Sequence, residues 1–150
     1  MIDIKIREYK ESDYLKFENL VFSLYSEDPE GEAIDSSKVR NTVDEFTKFP
    51  EKGKIFIFNY NNHIIGYAII VYFWSNEFGG DVLQIDEMYI INEMRNQSIG
   101  TYFINYLHNY KSIKTKAFSV EVTPSNSGAL NLYKRLGFKY SGNIHLILKK

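Results

Sequence analysis

From Ile64 to Trp74 the chain is apolar at every position except Gly66. A strand with one wet face alternates apolar and polar residues, and this run does not. Its eleven residues also fall far short of the roughly 20 that a membrane-spanning helix needs. The run therefore reads as a central strand covered on both faces. Asn61-Asn62 marks a turn just before it, and the apolar stretch Ile55–Phe58 precedes that turn, so the two runs form a hairpin.

The rest of the pattern supplies the covering layers. Ile2-Asp3-Ile4-Lys5-Ile6 alternates with period two and reads as a first strand. Ser12 can cap a helix carrying Tyr14, Phe17, Val21 and Leu24 at helical spacing, and Ser36 or Ser37 a second with Val39, Val43 and Phe46 inward. Val82–Ile91 is a further strand, followed by a helix whose apolar stripe holds Ile99, Phe103, Tyr106, Leu107 and Tyr110. A strand over Ala117–Val122 ends at Thr123-Pro124, and Ser125 or Asn126 caps a helix with Ala129, Leu132, Tyr133 and Leu136 inward. Gly137 stands where helix C-caps stand. Phe138–Tyr140 and Ile144–Leu148 read as a closing strand pair around Ser141-Gly142-Asn143. The order is β-α-α-β-β-β-α-β-α-β(β), a single domain over residues 1–150. The class is α/β (α+β), because the hairpins of the first half argue against a doubly wound parallel sheet.

A chain of 150 residues buries roughly 70% of the surface its unfolded form exposes, so its core needs no disulfide or metal staple. It has no cysteine, which excludes thiolate metal sites and cysteine nucleophiles. Formal net charge is −1, with lysine and arginine spread along the chain, so neither a nucleic-acid nor a membrane partner is expected. Met1 to Lys10 alternates apolar and charged residues without an apolar h-region, so a cytoplasmic location is the expectation. His63, His108 and His145 have no metal-ligand spacing, and no metal is expected.

Two segments carry chemistry. After the Val82–Ile91 strand, Arg95-Asn96-Gln97-Ser98-Ile99-Gly100-Thr101 turns into a helix. The free N–H groups of a helix start, with an arginine at the edge, form a natural anion site. An ordinary strand–turn–helix would carry the same pattern, and neither a G-x-G-x-x-G nor a Walker loop is present. The second segment runs from Asn126 to Phe138, an amphipathic helix with a glycine stop, in which Tyr133 lies on the apolar stripe.

Together these segments resemble the GNAT superfamily of N-acetyltransferases. Arg95, Ser98 and Gly100 stand where that family's phosphate loop, Arg/Gln-x-x-Gly-x-Gly/Ala, has its signature residues. Asn126, Ala129, Leu132, Tyr133, Gly137 and Phe138 match the family's Asn-x-x-Ala-x-x-Leu-Tyr-x-x-x-Gly-Phe helix, and the element order agrees over nearly the whole chain. Ser98 departs from the pattern by replacing the loop's first glycine. The resemblance implies a mixed, mostly antiparallel sheet flanked by about four helices, with acetyl-CoA as cosubstrate and a small-molecule amine as acceptor. The diphosphate would lie on residues Arg95, Asn96, Gln97, Ser98, Ile99, Gly100 and Thr101. Backbone groups of Met88 and Ile90 would pair with the pantetheine arm. Asn126 and Ala129 would also border the cofactor, and the N–H of Ile90 would hold the thioester oxygen. Tyr133 would protonate the departing thiolate.

An alkyl ammonium with pKa near 10.4 is neutral only about once in 2,500 molecules at pH 7, so the reaction needs a base. Alternation along the strand puts Gln84, Asp86, Met88 and Ile90 on one face and Glu87 on the other. The family's base lies an even number of positions before the residue at Ile90, which favours Asp86 over Glu87. Either carboxylate could instead pair with a neighbouring base. The acidic cluster Glu27, Asp28, Glu30 and Glu32, between the first two helices, falls where GNAT proteins border their acceptor site, and would suit a small cationic amine. A solvated loop is its bland alternative. The other readings are a protein N-terminal or lysine acetyltransferase, or a non-catalytic coenzyme A-binding domain. A homodimer is compatible with the sequence.

Overall fold

The structure is a computed structural model and describes residues 3–29, 31–110 and 114–150. Strand β1 (Lys5–Glu8) leads through a 3₁₀ turn (Glu11–Asp13) into helices α1 (Tyr14–Glu27) and α2 (Ser36–Lys48). Strands β2 (Gly53–Tyr60), β3 (His63–Ser75) and β4 (Gly80–Ile90) follow. A second 3₁₀ turn (Asn92–Met94), helix α3 (Ile99–Asn109), strand β5 (Ala117–Val120) and helix α4 (Ser127–Arg135) complete the order. The five strands form one sheet in the order β1-β2-β3-β4-β5. All neighbours are antiparallel except β4 and β5, which run parallel.

The apolar run does become the central strand. Along β2, Phe56 and Phe58 face one side while Ile55 and Ile57 face the other, and all four are buried. The phenylalanine side packs with Phe103, Ile104 and Leu107 of α3 and Tyr133 of α4. The isoleucine side packs with Phe17, Leu20 and Val21 of α1 and Val39 and Val43 of α2. Fully burying each such side chain contributes about 1.5–3 kcal/mol. Gly66 is required where it stands, because a Cβ there would lie 2.4 Å from the Tyr89 carbonyl oxygen on β4.

The local signals differ in detail. Ser12 does not cap α1. It lies within the first 3₁₀ turn, and Asp13 closes that turn by accepting the Lys10 N–H at 2.8 Å. Asp13 also takes a two-pronged bond from Arg7 at 2.7 and 2.8 Å, which holds its carboxyl below the usual range. Asp35, not Ser36 or Ser37, caps α2 by accepting the Lys38 N–H at 2.9 Å. A carboxylate is the stronger acceptor and sits one position earlier. Asn126 caps α4, as one of the two expected candidates, by accepting the Ala129 N–H at 3.1 Å.

Two expectations for the sheet fail. β5 stops at Val120 instead of Val122, and the closing strand pair over 138–148 does not form. Residues 138–150 adopt no strand, because their backbone reaches no ladder partner among the described residues. The tail instead holds His145 against Glu121 at 3.0 Å and Lys149 against Glu32 at 2.7 Å.

Candidate active site

The site begins with an irregularity in β4. Ile70 of β3 pairs with Ile85, but the preceding Ile69 pairs with Glu87, so Asp86 is an extra residue, a β-bulge. The bulge breaks the simple alternation expected along this strand. Leu83 and Ile85 face α3, and beyond the bulge Met88 and Ile90 pack on that same face. Glu87 and Tyr89 turn to the α1 face, where they meet Tyr25, Tyr67 and Glu27. Parity therefore does not choose between the two acids; their surroundings do.

Glu87 is tied on both oxygens. Tyr25 donates to one at 2.7 Å and Tyr67 to the other at 2.8 Å. Burial pushes its carboxyl up, the two tyrosines oppose that, and the charge of Asp86 adds to it. Asp86 has no hydrogen-bond partner among the described residues and stays open to a cleft of about 230 Å³. The protein crowded around it, and then the charge of Glu121 on the opposite wall, raise its pKa above the ordinary aspartate value. A free carboxylate with a raised pKa is the better proton acceptor of the two.

The same bulge marks where β4 loses its second neighbour. β5 pairs only with Val82 to Ile85, so from Asp86 to Ile90 the outer edge of β4 has no strand partner among the described residues. The Ile91 N–H bonds the Ile65 carbonyl on β3 at 3.0 Å. Backbone groups alternate sides along a strand, so those of Ile90 and Met88 point to the open edge.

Met88, Asn126, Ala129 and Tyr133 line the cleft together with Asp86, joined there by Asp28, Glu121 and Thr123. Tyr133 is 5% exposed and belongs to the core, yet its hydroxyl has no partner among the described residues. Burial pushes its pKa up, so it stays protonated. The end of α4 explains how it is held. Gly137, at φ +92°, lets its own N–H bond the Lys134 carbonyl at 3.1 Å while the Phe138 N–H bonds the Tyr133 carbonyl at 3.0 Å. This is a Schellman cap, and its usual apolar contact is supplied by the Tyr133 and Phe138 rings at 5.3 Å. The Tyr-x-x-x-Gly-Phe spacing is thus a device that locks one tyrosine ring.

The loop from Arg95 to Thr101 does not line the cleft but follows directly from the open edge. Asn96 and Ser98 both adopt left-handed backbone, each at φ 60°. Ser98 thus keeps a conformation that glycine takes without cost. The N–H groups of Ile99, Gly100 and Thr101 open α3 and find no acceptor among the described residues; the first helical bond is from Tyr102 to Ser98. A left-handed turn ahead of free N–H groups makes a concave anion site. Gly100 has a packing role as well, since a Cβ there would lie 2.7 Å from Leu132 and 3.3 Å from Met88. Gln97 reaches back to the Glu93 carbonyl at 3.3 Å.

Arg95 is engaged elsewhere. Its Nε donates to the Ile90 carbonyl at 2.8 Å, its Nη2 pairs with Glu27 at 2.6 Å, and its guanidinium lies 5.3 Å from the Tyr89 ring centre. Glu27 also accepts from Tyr89 at 2.6 Å; burial opposes ionisation, but Tyr89 and Arg95 hold its carboxyl below the usual range. The acidic cluster consequently does not act as one free patch. Glu27 is bound to Arg95, Asp28 accepts from Thr123 at 2.8 Å and lines the cleft, and Glu32 pairs with Lys149. Glu30 lies outside the described residues. Tyr25, Tyr67 and Glu121 went unnoticed in the sequence, because only packing brings them to Asp86 and Glu87. Among the described residues no group of three or more histidine, aspartate or glutamate side chains could hold a metal ion, and no helix is long and apolar enough to cross a membrane.

Comparison with known proteins bears on the fold and the family. A search of curated proteins finds no match. Among solved structures, a possible acetyltransferase from Clostridium difficile 630 is 23% identical, with 97% of this chain and 99% of that one covered at a TM-score of 0.76. AAC(6')-Iy in complex with the bisubstrate analog CoA-S-monomethyl-acetylneamine is 14% identical, with 99% of each chain covered at 0.81. A ribosomal-protein-alanine N-acetyltransferase from Brucella melitensis biovar Abortus 2308 is 13% identical, covering 99% of this chain and 100% of that one at 0.76. At these identities the likeness shows the fold. The sequence itself matches the acetyltransferase (GNAT) family over residues 18–138, most of its length, and the chain belongs to that family.

Proposed function

We propose that this protein transfers the acetyl group of acetyl-CoA to a primary amine on a small cationic molecule. The observation that carries the reading is the single cleft into which an unpaired Asp86 and an unpaired, buried Tyr133 both open. The cofactor fits the residues present. The open edge of β4 at Met88 and Ile90 offers main-chain groups to an extended amide arm, and the first N–H groups of α3 offer donors to a diphosphate. When bound, acetyl-CoA supplies an activated acyl carbon.

Asp86 takes the proton from the incoming ammonium, directly or through one water, and its raised pKa suits that task. The Ile90 N–H, aimed to the open edge, donates to the oxygen on which charge develops. Tyr133 returns a proton to the leaving sulfur. Asn126 spends its carbonyl oxygen on the helix cap, so only its amide N–H₂ is left to contact the cofactor. Asp86, Glu87 and Glu121 around the cleft, with Asp28 at its rim, give it a negative potential that favours a cationic acceptor over a neutral or acidic one. Of the loop carboxylates, Glu27 supports this indirectly by orienting Arg95, and Glu32 is a surface ion pair.

The test is acetyl-CoA turnover with a panel of polyamines, aminoglycosides, basic amino acids and peptide N-termini, run beside thermal shift. Coenzyme A at 100 times its dissociation constant should stabilise by about 2.7 kcal/mol, and NADH should not. Turnover confined to peptides would replace the small-molecule acceptor with a protein. Binding without any turnover would leave a coenzyme A-binding domain.

A further inference from the structure

The end of β4 is clamped by a side chain that reaches back to it. Ile90 is the last residue of the strand, and β5 gives it no partner. Arg95, five residues on, takes that partner's place, for its Nε donates to the Ile90 carbonyl at 2.8 Å. The Ile91 N–H belongs to the same peptide unit and donates to the Ile65 carbonyl on β3 at 3.0 Å. The unit is thus held from both sides at a point where a strand would otherwise fray. Glu27, the last residue of α1, fixes the arginine in turn. One of its oxygens accepts from Arg95 Nη2 at 2.6 Å and the other from the Tyr89 hydroxyl at 2.6 Å. A surface ion pair alone contributes little, but this one belongs to a network that joins α1, β4 and the loop after it.

We propose that Glu27 and Arg95 are a positioning pair for the reacting end of the cofactor. Resting on the acetyl-transfer reading above, this gives both residues a role other than contact with diphosphate or amine. With its carbonyl spent on Arg95, Ile90 meets the open edge as a donor only. A thioester oxygen only accepts, so a lone donor suits it, whereas each amide of the pantetheine arm has both an N–H and a C=O to pair. Met88 therefore serves the arm and Ile90 serves the acyl group. A misplacement of about 1 Å can cost about 10²-fold in rate, so a clamp on this peptide unit acts on kcat. Diphosphate does not need the guanidinium. The N–H groups of Ile99, Gly100 and Thr101 find no acceptor among the described residues. Arg95 would have to give up both Ile90 and Glu27 to join them.

The first part of the experiment needs no acceptor. In protein isotopically labelled at the arginine Nε, the Arg95 N–H signal is assigned by its loss in Arg95→Met. It should exchange slowly with water and keep its position when coenzyme A is added to saturation. Calorimetry with coenzyme A should give dissociation constants within about threefold of wild type for Glu27→Gln and Arg95→Met, since neither side chain touches the ligand. In the second part, with the panel amine of highest turnover, each variant should lose about tenfold or more in kcat while the KM for acetyl-CoA changes little. The double variant should lose no more than the worse single one, because both act through one contact. If coenzyme A shifts the Arg95 signal or speeds its exchange, the arginine is a diphosphate ligand and the proposal is overturned. Coenzyme A binding weakened about tenfold or more in Arg95→Met, with a flatter salt dependence, would overturn it in the same way. Unchanged kcat in both variants would leave the network a purely structural one and overturn it too. If no amine turns over, the acceptor reading fails by itself, and the labelled signal and the calorimetry still decide where Arg95 is engaged.

Discussion

The two halves of β4 behave as different structures. From Gly80 to Ile85 the strand lies between β3 and β5, and Val82, Leu83 and Ile85 are buried. From Asp86 to Ile90 it keeps β3, loses β5, and turns two carboxylates and a tyrosine toward polar surroundings. One extra residue separates them. The first half stabilises the fold through burial and two hydrogen-bonded neighbours. The second leaves backbone groups unpaired at an open edge, which is tolerable only beside solvent or a ligand. A single bulge thus gives one strand both a paired half and an open half, without a separate element.

The strongest way to break that comparison is to delete Asp86. Pairing would become continuous, with Glu87 still opposite Ile69 and Met88 and Ile90 still on the face they share with Ile85. The fold should therefore keep its cooperative melting transition while the open half loses its free carboxylate, and turnover should fall at least as far as removal of a general base takes it, about 10²–10⁴-fold. A variant with unchanged turnover would mean that the extra residue does not set the open half apart.

Next in size is the contrast between the two acids. Asp86→Asn should lower turnover about 10²–10⁴-fold and remove an ionisation from the acidic limb of the pH profile, while Glu87→Gln keeps that limb. The limb should lie above the ordinary aspartate range, because activity needs the ionised form and crowding and Glu121 raise its pKa. If Glu87→Gln abolished the limb instead, the base would lie on the α1 side of the strand.

Glu87 offers a smaller, thermodynamic test. Its folded pKa is raised, so the folded state holds the proton more tightly than the unfolded state. Its contribution to stability is present below the unfolded carboxylate pKa and is lost as pH rises through the folded value. Wild type should therefore lose melting temperature relative to Glu87→Gln across that window. A difference that does not vary with pH would show that Tyr25 and Tyr67 cancel the effect of burial.

The smallest effect concerns the loop that the open half leads into. Ser98 holds a left-handed conformation that costs a non-glycine residue about 1–2 kcal/mol. Ser98→Gly should relieve most of this, offset in part by the greater freedom of glycine in the unfolded chain, for a net gain of several tenths of a kcal/mol. Coenzyme A affinity, measured by calorimetry, separates two roles for the hydroxyl: tighter binding means it only crowds the loop, weaker binding means it donates to phosphate.

Much of this molecule could be read along the chain. The unbroken apolar run forced a covered central strand, helical periodicity located all four helices, and Asn126, Tyr133, Gly137 and Phe138 marked the helix that borders the cleft. These features are local, since each depends on residues within a turn or two of one another. The bulge at Asp86 was not legible, because two-residue alternation is a property of a paired ladder and the ladder's other rail is β3. Nor were the tyrosines on Glu87, the pairing of Glu27 with Arg95 or the placement of the tail, for these bring together residues 62, 20, 68 and, through Lys149 and Glu32, 117 positions apart. Sequence determined which segments are helix or strand and which side chains must be buried. Tertiary structure decided which of two adjacent carboxylates is free, since that depends on what the opposite face of the sheet presents to each.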